Sequence, residues 1–128
     1  MRVLVVEDEV LVAMLIEDML LDYGCESVEI CGRIENALAR VAEESFDFVV
    51  LDLNLEGEFT YPVADRLIER KIPFVFATGY GASMLSGPYA RVPTLQKPFQ
   101  MEDIERALQA VVSSATGTPA PPPPSSKN

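Results

Sequence analysis

The sequence predicts a doubly wound α/β domain in which a five-stranded parallel sheet lies between two layers of helices. Short apolar runs alternate with segments whose apolar residues recur at helical spacing, and this unit repeats five times. The stronger runs are continuously apolar, which is typical of strands covered on both faces. The length of 128 residues suits one such three-layer domain with one core.

Five strands are expected in chain order, each bounded by turn or helix signals. They are Arg2–Val6, Ser27–Ile30, Phe46–Leu51, Ile72–Ala77 and Val92–Gln96. The second is the weakest because it is short and mixes polar with apolar residues.

Four amphipathic helices are expected between and after these strands. Their apolar stripes lie within Val10–Leu21, Ile34–Ala42, Val63–Ile68 and Met101–Val111. The stretch Gly57–Pro62 is predicted to be a turn, and Gly79–Pro88 is rich in Gly and Ser, so any helix there is expected to be short and mobile. Residues 1–114 form the predicted domain, and residues 115–128 form a Pro-rich tail that is expected to be disordered because it cannot bury enough apolar surface.

The composition excludes several classes of function. A formal net charge of −10 argues against binding to nucleic acid or to an anionic membrane surface. No apolar run approaches the roughly 20 residues of a membrane span, and no leader peptide is recognisable at the start. The chain is therefore expected to be cytoplasmic, with Cys25 and Cys31 as reduced thiols too far apart along one strand to pair.

The chain contains no histidine. This excludes Ser-His and Cys-His catalysis and an internal phosphohistidine. Any phosphohistidine donor must therefore belong to another protein.

Polar residues stand at the carboxyl ends of four predicted strands. In open α/β sheets, ligands bind beyond these ends, near the switch in strand order. The residues are Glu7, Asp8, Asp52, Thr78 and Lys97. Each has an ordinary alternative role as a cap, turn or surface residue, but four such strand ends in one chain are hard to ascribe to chance.

Clustered carboxylates repel one another, and a hard divalent cation relieves that repulsion. Asp8, Asp52 and the main-chain carbonyl of Asn54 are the candidate ligands for Mg²⁺, or for Mn²⁺ in its place. Asp52 is also the candidate nucleophile, because carboxylates can form aspartyl-phosphates. Lys97 and Thr78 would stabilise the charge of the phosphoryl group.

Two further residues complete this hypothesis. Gly79 would leave space beside the phosphoryl group. Pro98 is expected to follow a cis peptide bond that turns the Lys97 side chain into the site.

Four motifs together resemble the response-regulator receiver family over roughly Met1–Ser114. They are VLVVEDE, FVVLDLNL, FVFATGYG and LQKPF. The resemblance implies a flavodoxin-like (βα)5 fold, with Asp52 as phosphoacceptor, Asp8 as the main metal carboxylate and Glu7 acting on the metal through water. Thr78 and Lys97 match the phosphoryl-binding pair. The partners implied are a histidine kinase and a histidine phosphotransfer protein, and a homodimer is left open.

The run Phe76–Tyr80 resembles the FATGUY subgroup of single-domain receivers, which is typical of alphaproteobacteria and tied to kinases of general stress signalling. Most receivers have an aromatic residue three positions before the Lys, but here that residue is Thr94. The expected switch is therefore Thr78, Gly79 and Tyr80.

Two other functions compete with phosphoacceptor signalling. A haloacid-dehalogenase-type phosphatase would need an acid at position 54, where this chain has Asn54, and a longer chain. A pseudo-receiver would bind partners without being phosphorylated, which fits poorly with a complete set of site residues. Within the leading hypothesis, the chain could be a phosphate sink, a relay shuttle or a phosphorylation-switched binding partner, and it would catalyse only its own phosphorylation and dephosphorylation.

Overall fold

The computed structural model describes residues 1–79, 85 and 87–115, with side chains through Val111. The strands are β1 (Arg2–Val6), β2 (Ser27–Cys31), β3 (Phe48–Asp52), β4 (Asn54–Leu55), β5 (Glu58–Phe59), β6 (Phe74–Thr78) and β7 (Thr94–Gln96). The helices are α1 (Val10–Tyr23), α2 (Ile34–Glu43), α3 (Tyr61–Glu69) and α4 (Met101–Ala115), with a 3₁₀ turn at Gly87–Tyr89.

The main sheet has five parallel strands in the order β2-β1-β3-β6-β7. This confirms the predicted fold class and the flavodoxin-like order that the resemblance implies. The order reverses between β1 and β3, so the switch point lies where the acids of both strands end. The short helix considered within Gly79–Pro88 falls largely outside the described residues.

Alternate residues of each central strand face opposite helical layers. One core, under α2 and α3, contains Leu4, Val6, Val49, Leu51 and Phe76. The other, under α1 and α4, contains Val3, Val5, Phe48, Val50 and Val75. Burial on both faces explains why these strands are continuously apolar in sequence. Within the described residues, no helix has the length and apolar character needed to cross a membrane.

One element differs from the sequence prediction. The stretch predicted as a turn, Gly57–Pro62, instead contains a strand and the start of α3, because β4 and β5 form a small antiparallel hairpin. Its two central residues, Glu56 and Gly57, have φ values of 49° and 89°. Positive φ at both central positions is the geometry of the two-residue turns that best match strand twist.

Candidate functional site

The three acids predicted from the strand ends do come together. Carboxylate oxygens of Glu7, Asp8 and Asp52 lie within 4.8 Å of one another. Glu7 and Asp52 are buried, with 3% and 7% of their surface exposed, whereas Asp8 is half-buried. They meet because β1 and β3 are adjacent parallel strands, so their carboxyl ends share one edge of the sheet.

Lys97, which directly follows the edge strand β7, also contacts this cluster. Its Nζ lies 2.6 Å from Glu7 Oε1 and 3.1 Å from Asp52 Oδ2. The Lys97–Pro98 peptide is cis, and the Lys97 main-chain N–H donates to the carbonyl of Thr78 at 2.8 Å. The ammonium group therefore bridges the acids of two strands.

The charges of these groups affect one another. Burial raises the pKa of Asp52 to about 6, and the neighbouring Glu7 carboxylate adds to the rise, while Lys97 opposes it. Burial disfavours the ammonium form of Lys97, but the hydrogen bond that Lys97 donates to Glu7 and the charge of Asp52 outweigh this, so the pKa of Lys97 is raised. The pocket thus holds more negative charge than its one lysine compensates.

The donor set fits a hard divalent cation. Mg²⁺ prefers one or two carboxylates together with carbonyl, phosphate or water oxygens. Asp8, which is half-buried, and Asp52, which is buried, both offer such carboxylates. One oxygen of Glu7 already contacts Lys97 and the other accepts the main-chain N–H of Glu9 at 3.1 Å. The oxygens of Asp52 are engaged too, Oδ2 with Lys97 at 3.1 Å and Oδ1 with the main-chain N–H of Asn54 at 3.3 Å, so all three acids are candidate ligands.

Thr78 and Gly79 lie at the end of β6, beside this cluster. Thr78 is the last residue of the strand and is 3% exposed. A Cβ added at Gly79 would meet no atom of the described residues within 4 Å. Tyr80, the third predicted switch residue, lies outside the described residues.

Sequence reasoning missed two groups of residues around the site. Thr60, fully buried, donates from its hydroxyl to the main-chain carbonyl of Asp52 at 2.6 Å. Farther out, the ring of Tyr89 stacks on Tyr61 with centroids 4.4 Å apart, and its hydroxyl donates to Asp65 at 2.6 Å. These contacts join residues that are distant in sequence, and no local pattern indicates them.

The response regulator receiver domain model matches residues 3–109. The sensory transduction protein LytT of Bacillus subtilis is 34% identical over 117 residues, which cover 85% of this chain and 47% of LytT. The chain therefore spans about half the length of LytT.

Two solved structures are also similar. SdrG from Sphingomonas melonis Fr1 has a TM-score of 0.76 and 42% identity, covering 87% of this chain and 95% of SdrG. The receiver domain of the sensor histidine kinase PA1611 from Pseudomonas aeruginosa PAO1, solved with a magnesium ion in its active-site cleft, has a TM-score of 0.71 and 23% identity. It covers 88% of this chain and 97% of that domain, and supports the fold.

The parallel sheet, with acids and a lysine at its carboxyl edge, defines a receiver domain. The chain belongs to the response regulator receiver family of two-component signalling. In sequence and in extent it is similar to SdrG.

Proposed function

We propose that this chain is a single-domain response regulator that accepts a phosphoryl group on Asp52 from the phosphohistidine of a histidine kinase. The observation that carries the proposal is the position of Asp52 at the end of a fully buried strand, between two other acids and the Lys97 ammonium. The transfer breaks the bond between phosphorus and the imidazole nitrogen and forms one between phosphorus and a carboxylate oxygen of Asp52.

Each neighbouring residue has a separate role in this proposal. Lys97 and Thr78 contact the phosphoryl oxygens, and Gly79 leaves room for them. Asp8, Asp52 and the Asn54 carbonyl would hold Mg²⁺, with Glu7 acting through water. A bound Mg²⁺ would supply positive charge that offsets the charge of the phosphoryl group. The switch is proposed to run through Thr78, Gly79 and Tyr80, since Thr94 provides no aromatic ring.

The first experiment identifies the acceptor. Acetyl phosphate and Mg²⁺ should add one phosphoryl group, measured as a mass increase of about 80 Da. In this step the bridging P–O bond of acetyl phosphate breaks, a bond forms between phosphorus and a carboxylate oxygen of Asp52, and acetate leaves. Asp52→Asn should take no label, whereas Asp47→Asn, an exposed control just before β3, should behave like the wild type. Labelling of the Asp52→Asn protein would show that Asp52 is not the acceptor. Absence of label on the wild type would favour a pseudo-receiver.

The surface beside the site supports a partner protein as the natural donor. At the start of α1, two residues after Asp8, four apolar side chains are 51–80% exposed, and they are Val10, Leu11, Met14 and Leu15. They follow one another at helical spacing and form an apolar face next to the acids. We propose that this face, which we call the α1 face, contacts the histidine-bearing helices of the kinase.

A substitution on the α1 face should separate docking from chemistry. Leu11→Glu places a charge in the proposed interface and should slow transfer from the kinase at least about tenfold, equivalent to about 1.4 kcal/mol. Labelling by acetyl phosphate should stay within about twofold, because the Leu11 side chain is 80% exposed. Leu21→Glu is the matched control, since Leu21 is 46% exposed and about 15 Å farther along the same helix. Equal slowing by both variants would contradict the α1 face.

Phosphotransfer kinetics also distinguish the three signalling roles. A shuttle passes its phosphoryl group to a histidine phosphotransfer protein, a sink loses it to water, and a switched binding partner holds it while bound.

The free, buried thiols of Cys25 and Cys31 support the proposed cytoplasmic location.

A further inference from the structure

We propose that Thr60 is a positioning residue for the phosphoacceptor and for the metal ligands around it. The inference rests on the proposed function of Asp52. The Thr60 hydroxyl lies 2.6 Å from the Asp52 carbonyl oxygen and 3.2 Å from that of Leu53. The Thr60 main-chain N–H also donates to Leu53 at 3.0 Å. One residue therefore holds the two peptide groups that follow β3.

The position of Thr60 makes this use of its hydroxyl informative. Thr60 is the N-cap residue of α3, and a threonine there usually accepts a hydrogen bond from the first turn of the helix. Here the side chain makes no capping hydrogen bond. Among the hydrogen bonds of the described residues, Thr60 bonds to the helix only through its main-chain carbonyl, which accepts from the main-chain N–H groups of Val63 and Ala64 at 3.0 and 3.1 Å. The hydroxyl is directed to the phosphoacceptor and not to the helix.

The hairpin between Asp52 and Thr60 extends the effect to the metal ligands. Asn54, whose carbonyl is the proposed ligand, pairs with Phe59 at the base of the hairpin. At the tip, the main-chain N–H of Glu56 donates to Asp8 Oδ2 at 3.2 Å. The main-chain N–H of Asn54 also donates to Asp52 Oδ1 at 3.3 Å, so the hairpin contacts the carboxylates of Asp8 and Asp52, and Thr60 fastens its base to β3. Loss of the hydroxyl should loosen Asp52 and Asn54 together.

The test compares side chains that differ in the hydroxyl. Thr60→Val replaces it with a methyl group of similar shape, and Thr60→Ser retains it. The first measurement is the Mg²⁺ dissociation constant of the unphosphorylated protein by titration calorimetry. The second is the rate of labelling by acetyl phosphate at saturating Mg²⁺. Thr60→Val should raise the dissociation constant and lower the rate, each about tenfold, because a buried hydrogen bond is lost. Thr60→Ser should stay within about twofold of the wild type.

Two further variants separate positioning from stability. Val41 is a buried residue of α2 in the core under α2 and α3, and Val41→Ala creates a cavity there that should lower the melting temperature while leaving the dissociation constant and the rate unchanged. Thr60→Ala is a second variant without the hydroxyl, and it should show the same changes in dissociation constant and rate, so it serves as the test if Thr60→Val does not fold.

The outcomes are distinct for the two proposals. If the variants without the hydroxyl bind Mg²⁺ and take label like the wild type, or if Val41→Ala changes both values as much, Thr60 is not a positioning residue. If the wild type takes no label but loss of the hydroxyl still weakens Mg²⁺ binding, the phosphoacceptor function fails and the positioning role stands.

Discussion

The connections that leave β3 and β6 both begin at a site residue, yet the structure holds them in different ways. After β3, the chain returns at once to its own start, through the hairpin and the bonds from Thr60 to Asp52 and Leu53. After β6, the described residues are Gly79, Leu85 and 87–93, and they contact the domain where Leu85 packs on the core under α2 and α3 and where Tyr89 packs on α3.

We propose that the two connections have different roles, the β3 connection in positioning the nucleophile and the β6 connection in switching. A nucleophile must stay close to one geometry. In the β3 connection, the Thr60 hydroxyl holds the main-chain carbonyls of Asp52 and of the residue that follows it, Leu53. A switch needs an element whose two states differ by little free energy. The described part of the β6 connection is held by Thr78 in the sheet, by Leu85 against the core and by Tyr89 on α3, and the proposed switch begins at Thr78.

Removal of the Asp52 charge, at the start of the β3 connection, should have the largest effect on stability. In the metal-free protein, Asp52→Asn should raise the free energy of unfolding by about 1–3 kcal/mol at pH 7, because the folded carboxyl has a raised pKa of about 6. A carboxyl with a raised pKa favours folding most when protonated. The wild type therefore loses this stability as the pH rises from about 4 through about 6, and the difference between the two proteins should vanish below about pH 4.

Urea unfolding between pH 3.5 and 8 measures this difference. Asp22→Asn, an exposed carboxyl on α1, is the control and should change stability by less than about 0.5 kcal/mol. An Asp52→Asn protein that is no more stable than the wild type at pH 7 would mean that the β3 connection holds the acid without electrostatic strain.

The sequence could predict the sheet and the acids at its edge because both depend on local pattern. Continuous apolar runs mark strands buried on both faces, and Asp52, Thr78 and Lys97 then follow from where the runs stop. Strand limits shifted by one or two residues, as with β7, which starts at Thr94 after Pro93 and not at Val92. Proline lacks the N–H that a strand residue would donate.

The hairpin and Thr60 could not be predicted in the same way. Strands of two residues are too short to show an alternating pattern. A threonine before a helix is a signal for a cap, so the sequence would favour the wrong partner for the hydroxyl of Thr60. The stacking of Tyr61 on Tyr89 joins two distant segments, and only the tertiary structure reveals it.

The β6 connection should change most on activation. Beryllofluoride, which mimics the phosphoryl group, should shift the NMR signals of residues 78–89 more than those of the hairpin. Tyr89→Phe keeps the ring on Tyr61 but removes the hydrogen bond to Asp65, which also raises the pKa of Tyr89 to about 12. It should cost about 0.5–1.5 kcal/mol of stability and extend the shifts beyond position 89.

Tyr23→Phe, at the end of α1, is the control for this experiment and should leave the pattern of shifts unchanged. Shifts concentrated in the hairpin, with residues 78–89 unaffected, would reverse the roles assigned to the two connections.

The smallest effect is expected from the tail, which follows α4 in the sequence. α4 begins near the site, after Pro98, and its 15 residues carry the chain about 22 Å away. The sequence that follows is rich in proline and has little to bury. A chain ending at Ser114 should therefore take label from acetyl phosphate within about twofold of the full-length rate, with a melting temperature within about 2 °C. Replacement of Pro121–Pro124 by serines keeps the length of the tail and serves as the control. If truncation slowed labelling more than about fivefold and the serine variant did the same, the prolines would contact the domain, and residues 1–114 would not be a self-sufficient unit.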